Sequence, residues 1–421
     1  MSSADRAAAA VRQANARDCL LQLRDASAPL TVGDLAERTG LSRPTVDAVL
    51  AELVDRGPVH NCARTEPSLP GRPARRFAFD AAGTVVAGID IGARGMRCTL
   101  SDAGGNVITS IGSAVPTGAD RTELVVDLVR RAVRQADQYQ DHQESDQPDD
   151  VHRDGDHCDH DQHRRGRGDR TRLAAVGISV PAILDHDDQV VQSLTVGEWI
   201  GFDLRKELSA RLDCDVWIEN DVKLAAYAEH HLGSGADNSI LVQIGNRISI
   251  AVIIDGKILQ GSHRLAGELG SLRSMRWTRS SRDGQLVWSD GTEAVEVFRR
   301  AEAGDDQALQ EIDAFCAEIA PRLAALLLTV DPELVVIGGG LSRAGETLLT
   351  PLRRRVSELL MTPDLAEFVT AGLTTDGSLT GALGHAFEHG SNEIFGIPGV
   401  PAPWCRWRNN PLSINGAETR T

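Results

Sequence analysis

The chain has 421 residues and 41% hydrophobic content, enough for two or three domains with substantial cores. Its formal net charge is −16, but residues 1–79 hold 11 arginines against 9 acidic residues, a net charge of +2 that leaves −18 for the remainder. The seven cysteines form no C-x-x-C pair and no apolar run approaches the roughly 18 residues of a membrane span, so we expect a cytoplasmic protein without disulfides or membrane contact.

Residues 1–80 predict a winged helix-turn-helix domain. Thr31 is placed to cap one helix, with Asp34 three residues later, and Ser42 is placed to cap the next. Two strands at 59–63 and 75–79 follow, joined by a loop that contains Pro70-Gly71-Arg72-Pro73. The helix that begins after Ser42 has apolar residues at the i, i+3, i+4, i+7 spacing of one buried face: Val46, Val49, Leu50 and Leu53.

In helix-turn-helix proteins the N-terminal residues of the corresponding helix contact base edges in the major groove, so we expect the exposed start of the helix after Ser42 to do the same. An arginine between glycine and proline in the loop suits a minor groove or a phosphate. The alternatives are a three-helix packing module without a ligand and a solvated loop arginine. The predicted DNA contacts are Ser42, Arg43, Pro44, Thr45, Ala48 and Arg72.

Residues 84–390 alternate strands and helices, as in an α/β domain. Within them, residues 138–170 are rich in Asp, His and Gln, and we expect a disordered insertion there. An apolar strand ends in Asp90-x-Gly92, and a later one runs into Gly338-Gly339-Gly340 before a helix, a common setting for nucleotide phosphates. Residues 391–421 are rich in Pro, Gly and Asn, and we expect a flexible tail.

A strand followed by an Ala-rich helix places Asn220 and Asp221 at the junction between the two elements. A carboxylate there has amide donors around it and can accept a proton from a bound hydroxyl, which suits a small polyol. Asn and Asp are also the commonest helix caps, so the pair alone does not decide between a binding site and a cap.

Five motifs together resemble the ROK family, which contains sugar kinases and sugar-responsive repressors. They are Asp90-x-Gly92, Ser179-Val180-Pro181, Glu219-Asn220-Asp221, Gly267-Glu268-x-Gly270 and Gly338-Gly339-Gly340. The resemblance covers roughly residues 84–389 and implies an actin-like, hexokinase-type pair of α/β lobes. It also implies a sugar between Asp221 and Glu268, with Asn220 and Thr195 as further contacts.

The resemblance also shows where this chain departs from the family's kinases. Their Asp-x-Gly-Gly-Thr is Asp90-Ile91-Gly92-Ala93-Arg94 here, and their Gly-Thr-Gly-Ile-Gly is Gly245-Asn246-Arg247-Ile248-Ser249. Side chains in such loops obstruct the approach of backbone amides to phosphate. We therefore expect no ATP or other cofactor, a vestigial base at Asp221, and vestigial nucleotide-binding positions at Asp90, Gly92, Gly245, Gly338, Gly339 and Gly340.

A structural zinc site of the family is also missing, because no cysteine lies between Cys214 and Cys316, so no metal is expected. The sequence thus predicts a repressor of carbohydrate metabolism genes. It would bind double-stranded operator DNA as a homodimer or homotetramer and respond to a sugar or sugar phosphate. The alternatives are an ATP-dependent, glucokinase-like sugar kinase with a DNA-binding head, and a scaffold protein that has lost both activities.

Overall fold

The computed structural model describes residues 3–62, 75–145, 171–245, 247–271, 278, 286, 288, 293–362 and 365–409. The chain divides into two compact units. Unit 1 comprises Met1–Ile178, Leu204–Trp217 and Ala382–Thr421, and unit 2 comprises Ser179–Asp203 and Ile218–Gly381. Neither unit is one continuous stretch of sequence.

The head at the start of unit 1 has three helices and a three-stranded sheet of order β1-β3-β2. Its elements are α1 (Ser3–Arg24), β1 (Leu30–Thr31), α2 (Val32–Thr39), α3 (Arg43–Arg56), β2 (Val59–Cys62) and β3 (Arg76–Phe79). Thr31 and Asp34 form the predicted capping box, and Gly40 ends α2 with a φ of +71°. The predicted stripe of α3 is buried. The predicted helix-turn-helix and the two wing strands are therefore present.

The rest of the chain alternates strands and helices, as the sequence predicts. In chain order its elements are β4 (Thr84–Ile91), β5 (Gly95–Asp102), β6 (Val107–Ala114), α4 (Arg121–Ser145), β7 (Arg172–Val180), β8 (Ile183–Leu184), β9 (Val190–Gln192), α5 (Leu204–Leu212), β10 (Asp215–Asn220), α6 (Asp221–Leu232), β11 (Ser239–Ile244), β12 (Ile248–Ile254), β13 (Lys257–Ile258), α7 (Ala294–Glu302), α8 (Asp306–Val330), β14 (Leu334–Gly338), α9 (Glu346–Ser357), β15 (Glu367–Thr370), α10 (Gly377–His389), α11 (Ser391–Phe395) and α12 (Trp404–Asn409).

One five-stranded sheet has the order β10-β7-β4-β5-β6, with β4, β5 and β6 antiparallel. The other, in unit 2, has the order β13-β12-β11-β14-β15, with β14 parallel to both neighbours. Alternation along β11 explains how the second sheet is covered on both faces. Ile240 and Val242 pack in the cluster that includes residues of α7, α8 and α9, whereas Leu241 packs with Val222 and Ala225 of α6.

The prediction of a flexible tail is wrong for residues 391–409, which form α11 and α12 in unit 1. Trp407 is only 2% exposed, and its indole N–H donates to the Gly105 carbonyl at 2.8 Å. Arg24 of the head donates to the Pro401 carbonyl at 2.7 Å, and Phe79 packs against Phe395 with ring centroids 6.1 Å apart. Burial of large aromatic side chains orders a segment whose average composition is that of a loop.

The prediction of disorder is wrong for the first eight residues of the range 138–170, because α4 continues to Ser145. The remainder, 146–170, lies outside the described residues, as do residues 410–421 of the predicted tail. Over the part of the chain that the structure describes, no helix is long and apolar enough to cross a membrane.

Candidate functional site

Strand β10 ends at Asn220 and helix α6 begins at Asp221, so the predicted pair lies at the junction of the two elements. The Asn220 side-chain oxygen accepts the backbone N–H groups of Val222 and Lys223 at 3.0 and 3.1 Å, and its Nδ2 donates to the Ala182 carbonyl at 3.0 Å. Asn220 is therefore a helix cap, with one amide hydrogen left beyond these bonds. Asp221 is half-buried in the first helical turn, where its carboxylate accepts the Val222 N–H at 2.9 Å.

A buried charged cluster lies beside this junction, within unit 2. Glu219, only 2% exposed, accepts Arg264 Nη2 at 2.7 Å and Gln260 Nε2 at 2.6 Å. Arg264 Nη1 also donates to the Asp188 carboxylate at 2.5 Å and to the Asp185 carbonyl at 2.7 Å. Burial works against the charge of Arg264, but Glu219 and Asp188 outweigh it and raise the pKa of this guanidinium.

Lys223 links the charged cluster to Glu268. Its ammonium donates to Gln260 Oε1 and to the Arg264 carbonyl, both at 2.9 Å. Burial lowers the pKa of Lys223, and the charges of Glu219 and Glu268 oppose that shift. Burial raises the pKa of Glu268, although the nearby Lys223 charge acts to lower it. Two carboxylates and an amine thus share one partly desolvated region.

Glu268 lies in a loop that a glycine packs against the sheet. Gly267 has a φ of +87°, and a Cβ at this position would lie 2.4 Å from the Ile250 carbonyl oxygen of β12. Only glycine permits both this conformation and this close approach. The Glu268 carboxylate makes no hydrogen bond with any of the described residues. It is therefore able to accept hydrogen bonds from a ligand.

Thr195 lies in unit 2, but no hydrogen bond between described residues links its side chain to Asp221 or Glu268. Its backbone N–H donates to Ser193 Oγ at 3.0 Å, and that hydroxyl donates to the Pro181 carbonyl at 2.7 Å. These two hydrogen bonds of Ser193 hold the loop that carries Thr195.

The charged cluster was not predicted from the sequence as part of the site. Glu219 belongs to the motif that was recognised, and its position before two predicted site residues was the available signal. Arg264 lies inside the loop that leads to Gly267, but nothing local indicates its partners, which are 45 and 76 residues away along the chain. The residues missed are Asp188, Glu219, Lys223, Gln260 and Arg264.

The predicted nucleotide-binding positions fall in both units: Asp90 and Gly92 in unit 1, and Gly245 and Gly338–Gly340 in unit 2. Asp90 pairs with Arg97 at 3.0 Å. Gly339 has a φ of +82°, and a Cβ there would lie 2.5 Å from the Ile244 carbonyl oxygen, so packing of β14 on β11 requires this glycine.

A cavity in unit 2 has Gly338 and Gly339 in its wall, together with Glu229, Gln243 and residues around Thr374. Its volume is about 20 Å³. The Glu229 carboxylate accepts the backbone N–H groups of Gly372 and Leu373 at 3.0 and 3.1 Å, which holds the adjoining loop in place.

The predicted DNA-binding residues lie at the start of α3, where Ser42, Arg43, Pro44 and Ala48 are exposed. Ser42 Oγ accepts the Thr45 N–H at 3.3 Å and lies 2.8 Å from Thr45 Oγ1, so these two hydroxyls pair with each other at the helix cap. The Arg43 side chain is exposed, and its Nη2 would lie 3.7 Å from a Cβ placed at Gly33 of α2. Arg72 lies outside the described residues.

No group of three or more His, Cys, Asp and Glu side chains that could hold a metal ion occurs within the described ranges.

Comparisons with known proteins agree with both parts of this architecture. The profile of the ROK family matches residues 166–278 and 271–387, and that of the IclR helix-turn-helix domain matches residues 15–61. The xylose repressor of Bacillus subtilis is 24% identical over 352 residues, which cover 79% of this chain and 83% of the repressor. A glucokinase of Halalkalibacterium halodurans is 25% identical over 256 residues, 52% of this chain and 77% of the kinase.

Two solved structures show the same fold. A ROK family transcriptional regulator, described as a homologue of the E. coli MLC protein, has a TM-score of 0.65 at 17% identity, covering 91% of this chain and 97% of its own. A ROK family glucokinase from Streptomyces griseus, in complex with glucose and AMPPNP, has a TM-score of 0.53 at 22% identity, covering 72% and 99%. The predicted helix-turn-helix and hexokinase-type α/β fold are confirmed, and the chain belongs to the ROK family.

Proposed function

We propose that the protein is a sugar-responsive, DNA-binding transcriptional regulator that acts as a repressor. The observation that carries this proposal is that one chain holds both a capped helix-turn-helix head and a ROK-type domain with carboxylates at Asp221 and Glu268. The similarity to a xylose repressor, which covers 79% of this chain and 83% of the repressor, supports it.

The head has the features that DNA recognition requires. Helix α3 buries one stripe in the head and leaves its first turn exposed, with Arg43 as the charged side chain available for guanine or phosphate. Small side chains at Pro44 and Ala48 allow the helix to approach the floor of a major groove. The wing supports this face, because Arg75, just before β3, forms an ion pair with Asp47 of α3. A homodimer or homotetramer would read an inverted repeat with these helices.

The ROK-type domain supplies hydrogen-bond acceptors for the hydroxyl groups of a polyol. A sugar hydroxyl is a good donor to a carboxylate, and Glu268 has no hydrogen bond to satisfy it within the described residues. Asp221, at the N-terminus of α6, lies where helix amides favour a negative charge. We assign Asp221 and Glu268 as the main sugar acceptors, with the remaining amide hydrogen of Asn220 as a donor. Thr195 is a further contact in this proposal.

An ATP-dependent sugar kinase is the second candidate, because a carboxylate such as Asp221 can act as a general base and glucokinases are among the relatives. The similarity to a xylose repressor, which extends over 79% of this chain against 52% for a glucokinase, favours the regulator. We expect no sugar-dependent ADP formation above background in a coupled assay. Saturable turnover that Asp221→Asn abolishes would make the kinase the better proposal.

The regulator is tested by selecting operator sequences from a random duplex pool with the full chain. Binding of the selected duplex is then measured with D-glucose, D-xylose, N-acetyl-D-glucosamine and glucose 6-phosphate. We expect a preferred inverted repeat, and a shift in operator affinity with at least one of these compounds. Equal affinity for selected and random duplexes would contradict the proposal.

A further inference from the structure

We propose that Arg264 is the positioning residue of the sugar site: it holds the segments that carry the sugar contacts in place without binding the sugar itself. This inference rests on the proposed function and adds to it a residue that the family motifs do not include. Arg264 lies between Gly261 and Glu268, in the loop that delivers the Glu268 carboxylate.

Arg264 contacts three other segments of unit 2, two through its guanidinium and one through its backbone carbonyl. Its Nη2 holds Glu219, the residue before the Asn220-Asp221 pair, at 2.7 Å. Its Nη1 holds Asp188 and the Asp185 carbonyl, in the turn between β8 and β9. Its own backbone carbonyl accepts Lys223 Nζ of α6 at 2.9 Å. One side chain thereby ties the Glu268 loop to the end of β10 and to the segment that leads to Thr195.

The backbone at Arg264 shows that its side chain is retained against a local preference. Its φ is +56°, in the left-handed region where residues with a Cβ are disfavoured and glycine is not. Glycine would fit this turn better on backbone grounds alone. We infer that the contacts of the arginine side chain offset the unfavourable backbone conformation at this position.

The hydrogen bonds of the guanidinium are also incomplete. Arg264 is 9% exposed, and its Nε is buried with no hydrogen-bond partner among the described residues. A buried donor without a partner is unfavourable and calls for an explanation. In this arrangement both Nη atoms bond carboxylates, and Nε is the donor left without a partner among the described residues.

The shape of arginine explains why the residue is not a lysine. A planar fork with donors on both Nη atoms can bond two carboxylates on different segments, whereas an ammonium is a point charge on a flexible stem. Since hydrogen bonds to a ligand are lost with displacements of about 1 Å, the position of Glu268 relative to Asp221 depends on this bridge.

The experiment measures sugar affinity by calorimetry and ligand-free operator affinity for a matched set of variants. The ligand is whichever of D-glucose, D-xylose, N-acetyl-D-glucosamine and glucose 6-phosphate the unmodified protein binds. Arg264→Gly suits the left-handed backbone and removes the bridge, but it also leaves Glu219 buried without its cation, so its fold is checked by circular dichroism. Asp255→Gly is the control, because Asp255 also has a positive φ, +50°, but is exposed at the turn between β12 and β13.

We expect Arg264→Gly to raise the sugar Kd by at least about tenfold while operator affinity without sugar changes by less than about twofold. Arg264→Lys should recover part of the loss, and Asp255→Gly should change neither affinity. In a Glu268→Gln background, Arg264→Gly should cost much less than it does alone, because a positioning residue acts through Glu268. A purely structural residue would give additive losses.

An Arg264→Gly protein with the unmodified circular dichroism spectrum and sugar Kd would overturn the inference. If this variant does not fold, Asp188→Asn weakens one arm of the bridge and should raise the sugar Kd by about threefold or more. An unchanged Kd for Asp188→Asn would then contradict the inference. If the unmodified protein binds none of the four compounds, the proposed function fails, and this inference fails with it.

Discussion

The head and the proposed sugar site differ in how far apart along the chain their stabilising contacts lie. In the head, Thr31 pairs with Asp34 and Ser42 pairs with Thr45, both three residues apart. In the site, Arg264 pairs with partners 45 and 76 residues away. The head is stabilised by an apolar core and local caps, whereas the site depends on buried charges brought together by the fold. The two regions should therefore respond differently to substitution.

The largest effect is expected from Glu219→Ala in the site. This change leaves the Arg264 guanidinium buried with one carboxylate fewer and removes the acceptor of Gln260, so it should cost about 3–5 kcal/mol of unfolding free energy. Urea denaturation measures this loss. Glu302→Ala, at an exposed glutamate, is the control and should stay within about 0.5 kcal/mol. A cost for Glu219→Ala as small as the control's would show that the cluster does not stabilise the site.

An intermediate effect is expected from Arg43→Ala in the head. Arg43 is exposed, so the fold should be unaffected, but loss of a base contact should weaken operator binding by about 1–3 kcal/mol. Fluorescence anisotropy with specific and random duplexes measures the change. Arg38→Ala, at an exposed arginine at the end of α2, should weaken binding to both duplexes less and more evenly. Equal losses for the two variants would remove Arg43 from base recognition.

The smallest effect is expected from Glu268→Gln and depends on pH. Burial raises the pKa of Glu268, so the folded protein disfavours the carboxylate. Above that raised pKa the neutral variant should be more stable than the unmodified protein without sugar. The difference should shrink as pH falls through the raised pKa, because the unmodified glutamate then gains a proton. Urea denaturation between pH 8 and acidic pH measures this, and a less stable variant at pH 8 would contradict the account.

Much of the head was predictable because its signals are local. The helix caps, the glycine turn and the buried stripe of α3 each depend on residues that lie close together in the sequence, and the structure contains all of them. The junction of β10 and α6 was predictable for the same reason. The bridge through Arg264 was not, because no spacing in the sequence indicates which distant carboxylates the guanidinium will meet.

The order of the C-terminal segment also could not be predicted from local sequence. Its composition indicates a loop, but Trp404 and Trp407 are buried, with ring centroids 5.1 Å apart. The partners that order it come from far away, as Gly105 does for Trp407. A composition average cannot anticipate two tryptophans that find a buried surface elsewhere in the unit.

The most direct test of the account compares operator affinity with and without sugar in the unmodified protein and in Glu268→Ala. A ligand alters DNA affinity only by its differential affinity for two conformations, and an effect of about 1–3 kcal/mol is expected in the unmodified protein. Glu268→Ala should keep operator affinity without sugar within about twofold and lose the response to sugar. A Glu268→Ala protein that binds the operator normally and still responds at the same sugar concentration would contradict the assignment of the site.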